Sequence, residues 1–119
     1  MNEDNMKQVP KDVSDKILQL IEMARNSGKL RKGSNETTKA IERGIAQLVV
    51  IADDVEPREI VMHIPVLCLE KNIPYAVVPS KLELGRAAGI EVGSAAIGVV
   101  DAGEGKELLK ELLKRVKEK

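Results

Sequence analysis

The sequence predicts an α/β fold in which helices cover both faces of a small sheet. Residues 48–52 form a continuous apolar run rich in β-branched side chains, which is typical of a strand that is buried on both faces. Apolar residues recur at helical spacing before this run, over residues 13–24, and after it, over residues 108–116. We therefore expect a three-layer α-β-α sandwich around a small mixed four-stranded sheet, with residues 1–119 forming a single domain.

The N-terminal part of the chain predicts one helix and one strand. Residues 1–9 are polar and are expected to fray. A helix begins at Pro10 and ends at Gly28, because proline is favoured at helix starts and glycine at helix ends. A short strand fits residues 29–32.

The remaining elements follow from capping and turn residues. A second helix is expected between Ser34, a good N-cap, and Gly44. A third helix has Pro57 in its first turn and is bent or restarted at Pro65. The chain then predicts a strand over residues 75–78, a helix between the capping box at Ser80 and Gly89, a strand over residues 95–100 and a last helix from about Gly105.

The outward face of the second helix carries an unusual set of side chains. Thr37 and Ile41 anchor the opposite face. The outward side chains are Asn35, Glu36, Lys39 and Arg43. A carboxylate would repel phosphates, but it accepts hydrogen bonds from guanine N–H groups, while a lysine donates to guanine acceptors. This set suggests a nucleic-acid reader, but taken alone it favours the alternative, an ordinary solvated helix, because capping patterns of this kind are common.

Charge and aromatic content limit how the protein could bind a nucleic acid. The net charge is zero, yet residues 25–43 carry six cations against two acids, whereas residues 44–103 carry four cations against eight acids. This asymmetry predicts a local basic surface. Tyr75 is the one aromatic residue, which excludes an RNA-binding sheet that stacks bases on aromatic rings.

Little in the sequence supports catalysis. His63 has no partner at metal-binding spacing, and Cys68 lies among apolar residues, so we interpret them as a surface or packing residue and a buried thiol. Asp53 and Asp54 could bind Mg²⁺ or be phosphorylated, and a small acyl or phosphoryl enzyme would need such a metal. We favour the interpretation that they end a strand and cap the next helix. We therefore expect no enzyme activity and no cofactor.

Location follows from the same composition. No charged and apolar export signal opens the chain, and a single cysteine excludes an internal disulfide framework. No apolar run is long enough to cross a membrane. We therefore expect a cytoplasmic protein with no membrane partner.

Four segments resemble one known family. Residues 31–39, 50–57, 72–75 and 80–89 closely resemble the family of the archaeal kink-turn-binding ribosomal protein L7Ae. The resemblance covers nearly the whole chain in the right order. It is specific because Gly-x-Asn-Glu-x-x-Lys and Leu-Gly-x-Ala-x-Gly occur together.

The resemblance implies an RNA-binding protein of the large ribosomal subunit that recognises kink-turns and kink-loops. It also implies roles in box C/D and H/ACA guide-RNA particles, which carry out RNA 2'-O-methylation and pseudouridylation, and in RNase P. The expected partners are these RNAs, a Nop-domain scaffold protein and fibrillarin, with a monomer when the protein is free. A protein–protein adaptor of the same fold, without an RNA role, is the alternative.

The resemblance also assigns site residues. The residues that read guanines of sheared G·A pairs would be Asn35, Glu36 and Lys39, next to a glycine, Gly33, that allows close approach. The pocket for an extruded nucleotide would be formed by Glu56, Ile60 and Lys81, covered by Ile90, Glu91 and Val92. Eukaryotic relatives carry Arg-Pro in that loop, so this chain resembles the archaeal form.

Two further expectations concern the same surface. The cations available to offset repulsion between two closely spaced phosphate backbones are Arg31, Lys32, Lys39, Arg43 and Lys81. We expect Ile90 and Val92 to pack inward; exposed, they would form an aliphatic wedge beside the site.

Overall fold

One mixed sheet of four strands lies between two layers of helices. The computed structural model describes residues 6–117. The strands are β1 (Lys29–Lys32), β2 (Leu48–Ala52), β3 (Tyr75–Val78) and β4 (Ala96–Asp101). The helices are α1 (Lys11–Ser27), α2 (Ser34–Glu42), α3 (Glu59–Lys71), α4 (Lys81–Ala87) and α5 (Lys106–Lys117), the last preceded by a short 3₁₀ turn at Gly103–Gly105.

The strand directions bring several loops together. The strand order is β1-β4-β2-β3, with β2 parallel to β3 and β4 antiparallel to both β1 and β2. Strands β1, β2 and β3 therefore end at the same edge of the sheet, where β4 begins. We call this the carboxyl edge. The β1–α2, β2–α3, β3–α4 and α4–β4 connections all lie there.

The core confirms the predicted three-layer α/β sandwich. Helix α2 packs against α3, whereas α1 packs against α4 and α5. All five residues of β2 are buried, as expected for a central strand covered on both faces. The apolar stripes of the two terminal helices are buried, as in Ile17 and Leu112, and α5 packs against α1. Within residues 6–117, no helix combines the length and hydrophobicity that crossing a membrane requires.

The segment before α1 is ordered from residue 6, so the prediction of fraying is wrong for residues 6–9; residues 1–5 lie outside the described range. Met6 and Val9 are buried. Gln8 forms a parallel bridge with Val77, and the Val9 N–H donates to the Val77 carbonyl at 3.0 Å. The segment thus satisfies backbone groups on the outer side of β3, which is an edge strand.

Two helix starts differ from the prediction. Gly33, not Ser34, is the N-cap of α2, and the Ser34 carbonyl lies within the helix, where it accepts from Thr38 Oγ1. Helix α3 begins at Glu59, two residues after Pro57. It then runs through Pro65 without restarting. The side chain of Arg58 donates to the Asp53 carbonyl at 2.8 Å, which holds the preceding residues in a turn instead of a helix.

Candidate nucleic-acid interface

Gly33 sets the start of α2 at the carboxyl edge. Its N–H donates to the Ala96 carbonyl at 2.9 Å, and its carbonyl accepts from the Thr37 N–H at 3.0 Å. Its φ of 96° lies in the left-handed region that favours glycine, and a Cβ built there would meet nothing within 4 Å. The backbone before α2 is therefore open to close approach by a ligand.

Asn35 and Glu36 are exposed in the first turn of α2. Lys39 Nζ lies 3.6 Å from the Glu36 carboxylate, and about half of each side chain is exposed. An exposed ion pair of this length is worth little, so another partner can replace it. Thr37 is fully buried on the opposite face, with its Cγ2 close to Gly98, as the sequence predicts.

A hydrogen bond from α3 supports the same turn. Thr38 Oγ1 lies 2.7 Å from the Ser34 carbonyl and 2.9 Å from His63 Nε2. Because a carbonyl only accepts, the single hydroxyl proton of Thr38 points to Ser34, and His63 Nε2–H is the donor to Thr38. The ring of His63 is exposed. The interpretation as a surface residue is therefore confirmed, but the sequence gives no sign of the link to Thr38.

The two aspartates after β2 bind protein groups. Asp53 accepts from Gln8 Nε2 at 2.7 Å and pairs with Arg58 at 2.8 Å. Asp54 Oδ1 accepts from the Lys81 N–H at 2.9 Å. Asp54 thus holds the start of α4, so the expectation that it caps the next helix, α3, is wrong. In the described part of the chain, no three His, Cys, Asp or Glu side chains are placed to hold a metal ion.

The α4–β4 loop is held tightly against α4. An ideal Cβ on Gly85 would lie 2.3 Å from the Val92 carbonyl oxygen, so only glycine allows this contact. Gly93 lies against the Lys81 side chain, and the Ser94 N–H donates to the Lys81 carbonyl at 3.0 Å. These contacts fix the loop beside the end of β3.

The side chains of that loop differ in their exposure to solvent. Ile90 is half-buried and packs against the core, so the prediction of inward packing is confirmed for it. Val92 is 68% exposed, so the same prediction is wrong there. The tight backbone contact with Gly85 turns the Val92 side chain outward. Glu91 is also exposed.

The carboxyl edge brings most of the sequence-predicted residues together. The residues on or next to connections at this edge are Arg31, Lys32, Gly33, Asn35, Glu36, Glu56, Ile60, Lys81, Ile90, Glu91 and Val92. Arg43 lies apart, because it follows the last residue of α2, roughly 12 Å along the helix from Asn35. Within residues 6–117, Arg31, Lys32 and Arg43 form no ion pair.

Comparison with known proteins agrees with this arrangement. Residues 15–109 match the model of the ribosomal protein L7Ae/L30e/S12e/Gadd45 family. The chain belongs to this family. A solved structure, the Giardia lamblia 15.5kD RNA binding protein, is 29% identical and superposes with a TM-score of 0.91, and the match covers 98% of each chain. Membership of the L7Ae family places the chain among non-enzymatic proteins, as the sequence predicts.

Cys68 is a core residue of this L7Ae-family chain. It is fully buried, and burial raises the pKa of its thiol to about 12. The thiol therefore stays protonated near neutral pH and is a poor nucleophile, which confirms the interpretation as a buried thiol.

Proposed function

We propose that this chain is an RNA-binding protein that recognises and stabilises kink-turns and kink-loops. Membership of the L7Ae/L30e/S12e/Gadd45 family and the likeness to a protein described as RNA-binding support an RNA ligand. The RNA contacts the carboxyl edge, where α2 begins and four connections converge.

The observation that carries this proposal is the pairing of exposed Asn35 and Glu36 with an open glycine before them. Gly33 leaves space for a base to approach the backbone. The Glu36 carboxylate, held only by an exposed pair with Lys39 at 3.6 Å, accepts from guanine N–H groups, and Lys39 then donates to guanine acceptors. A sheared G·A pair leaves that N–H edge of guanine free.

An extruded nucleotide occupies the neighbouring surface in this proposal. Glu56 and Ile60 come from the β2–α3 side, and Lys81 comes from the start of α4. The Asp54 carboxylate accepts from the Lys81 N–H, which ties the start of α4 to the β2–α3 connection. The exposed Val92 then covers the nucleotide from the α4–β4 loop as an aliphatic wedge. Its side chain can pack on the apolar face of a base, a contact that needs no hydrogen bond.

Kinking brings two phosphate backbones close together, and cations offset the repulsion. Arg31, Lys32 and Lys81 lie on or next to the carboxyl edge and supply that charge. Lys39 and Arg43 extend it along α2. A protein that binds the kinked state better than the extended state shifts the RNA toward the kink.

The cellular roles follow from the same proposal. The RNAs are those of the large ribosomal subunit, of box C/D and H/ACA particles and of RNase P, and the chain nucleates assembly of each particle. A Nop-domain scaffold protein and fibrillarin join the box C/D particle afterwards. We propose that the protein acts as a single domain, monomeric when free and cytoplasmic, with the archaeal form of the α4–β4 loop.

A gel shift tests this function. The labelled RNA is a kink-turn oligonucleotide, and the control carries Watson–Crick pairs in place of its tandem G·A pairs. We expect the control to bind at least about tenfold more weakly, since each base-edge contact is worth about 1–3 kcal/mol. Equal binding of both RNAs would contradict kink-turn recognition, and no binding to either would favour a protein–protein adaptor.

A further inference from the structure

A second basic surface lies between the end of α1 and strand β1. It is a shallow groove of about 270 Å³. The residues that line it are Arg25, Gly28, Lys29, Leu30, Arg31 and Lys32. Four of these six residues are cations and none is acidic, so we call this surface the basic groove. Only its last two residues belong to the RNA site described above.

The cations of the basic groove are available to a ligand. Each is exposed or half-buried. Among residues 6–117, none of the four forms an ion pair. Strand β1 is also an edge strand, and in the part of the chain that the structure describes it pairs with β4 alone, so its other side faces the groove. The positive charge of the groove suits an anion.

Arg25 lies where the ends of two helices meet. It comes from the last turn of α1, and its side chain lies over Gly89, just after α4. A Cβ on Gly89 would come within 2.7 Å of Arg25 Cδ. The exposed Arg25 side chain therefore lies over Gly89 and lines the groove.

Acidic groups lie near one end of the groove. Asp101 is opposite Lys29 in the β1–β4 register, but its Oδ1 accepts from the Gly103 N–H at 2.9 Å. Glu104 follows on the same turn. The groove is therefore most positive toward Arg31 and Lys32, where it meets the carboxyl edge.

We propose that the basic groove binds the phosphodiester backbone of one RNA stem that flanks the kinked loop. This rests on the proposed function, because the groove continues directly from Lys32 into Gly33 and α2. Strand β1 extends roughly 13 Å away from the carboxyl edge, which is long enough to follow several successive phosphates. The kink-turn site then reads the loop, and the groove sets the path of the adjoining stem.

The test compares stem lengths. Wild-type protein and Lys29→Gln are titrated with the same kink-turn RNA, with each flanking stem shortened in turn. Lys110→Gln, an exposed lysine of α5, is the matched control. We expect Lys29→Gln to weaken binding about three- to tenfold with both stems long. The slope of log K against log salt, which is negative, should become less steep by about 0.9. Shortening one stem, but not the other, should remove this difference.

Three results would overturn the proposal. These are the same loss of affinity for every stem length, no loss of affinity in Lys29→Gln, and a loss of affinity of equal size in Lys110→Gln.

Variants of Arg25 give a second test of charge. Because Arg25 also packs on Gly89, Arg25→Lys tests charge with less disturbance than Arg25→Gln, and we expect Arg25→Lys to retain more affinity. The proposed function fails separately, if wild-type protein does not discriminate against G·A-disrupted RNA with short stems. Competition by polyglutamate as strong as by duplex RNA would indicate an acidic protein ligand and contradict the stem proposal.

Discussion

Thr38 Oγ1 accepts a hydrogen bond from His63 Nε2 at 2.9 Å and donates one to the Ser34 carbonyl at 2.7 Å. These two hydrogen bonds join α3 to the first turn of α2. The N-cap of α2 is a glycine without a side-chain cap, so the turn that presents Asn35 and Glu36 depends on contacts from outside the helix. The link therefore connects the stability of the sandwich to the geometry of the proposed RNA site.

A double-mutant cycle tests the Thr38–His63 link. We expect Thr38→Val and His63→Leu each to lower the free energy of unfolding by about 0.5–1.5 kcal/mol, as for one net hydrogen bond. The double variant should lose less than the sum, because both changes remove the same interaction. Urea denaturation measures all three, and His63→Gln, which keeps an N–H donor, should recover part of the loss. Strict additivity would show that the two side chains are not coupled.

Glu36 and Arg31 should respond differently to salt. We expect Glu36→Ala to weaken kink-turn binding by about 1–3 kcal/mol with the salt slope nearly unchanged, since it removes a contact to a base. Arg31→Ala should make the negative slope of log K against log salt less steep, because it removes a cation. Binding isotherms at several salt concentrations give both quantities. Equal slope changes in the two variants would remove the base-reading role from Glu36.

Gly85 should not tolerate a methyl group. We expect Gly85→Ala to lower the free energy of unfolding by about 1–3 kcal/mol, because its Cβ would lie 2.3 Å from the Val92 carbonyl oxygen, a backbone atom. Gly98→Ala is the matched control, since its nearest contact would be Thr37 Cγ2 at 3.6 Å. Thermal or urea unfolding measures the difference. A neutral Gly85→Ala variant would mean that the α4–β4 loop can move away at little cost.

Val92 should matter for RNA but not for folding. It is 68% exposed, so we expect Val92→Ser to leave the free energy of unfolding within about 0.5 kcal/mol of wild type. Affinity for a kink-turn RNA should fall, by up to about tenfold, through lost apolar contact with the extruded nucleotide. Leu69→Ser is the control, because Leu69 is 59% exposed near the end of α3, away from the carboxyl edge. Similar loss of affinity in both variants would argue against the wedge.

Alkaline pH should destabilise the protein through Cys68. Burial raises the pKa of the thiol from 9.0 to about 12, so the unfolded chain loses this proton first. The contribution is fully present below pH 9 and is lost as the pH rises toward 12, with a slope of at most about 1.4 kcal/mol per pH unit. Burial and the Cys68 thiolate also raise the pKa of Tyr75, which adds in the same direction.

The comparison that checks this is Cys68→Ala. Urea denaturation between pH 7 and pH 10.5 should give a shallower loss of stability in the variant than in wild type, although the variant starts less stable because it leaves a small cavity. Parallel curves would show that the thiol titrates alike in the folded and unfolded chains.

The layers and the strand positions could be predicted because each depends on local pattern. The apolar run 48–52 and the stripe that includes Ile17 identify buried faces without reference to the rest of the chain. The position of Asp54 could not be predicted this way. Its partner, the Lys81 N–H, is 27 residues away, and an aspartate after a strand looks the same whether it caps the next helix or a later one.

The start of α2 shows a different limit. Ser34 has the side chain of an N-cap, but a glycine with positive φ precedes it and takes that position. Backbone conformation overrides side-chain preference here, because the Gly33 N–H is already bound to β4 through Ala96. The resemblance to L7Ae predicts the site that contains Asn35 and Glu36, whereas the contacts of His63 and Gly85 that support this surface could be found only in the three-dimensional structure.

The bridge between Gln8 and Val77 has a practical consequence for handling the protein. It occupies the outer hydrogen-bonding side of β3 at Val77, while Lys29, Arg31 and Lys32 place positive charge on β1 at the opposite edge of the sheet. A truncation that begins at Pro10 would uncover β3 and leave it free to pair with a strand from a neighbouring molecule. Such shortened preparations would be expected to self-associate even though every helix and every side chain of the proposed RNA site were intact.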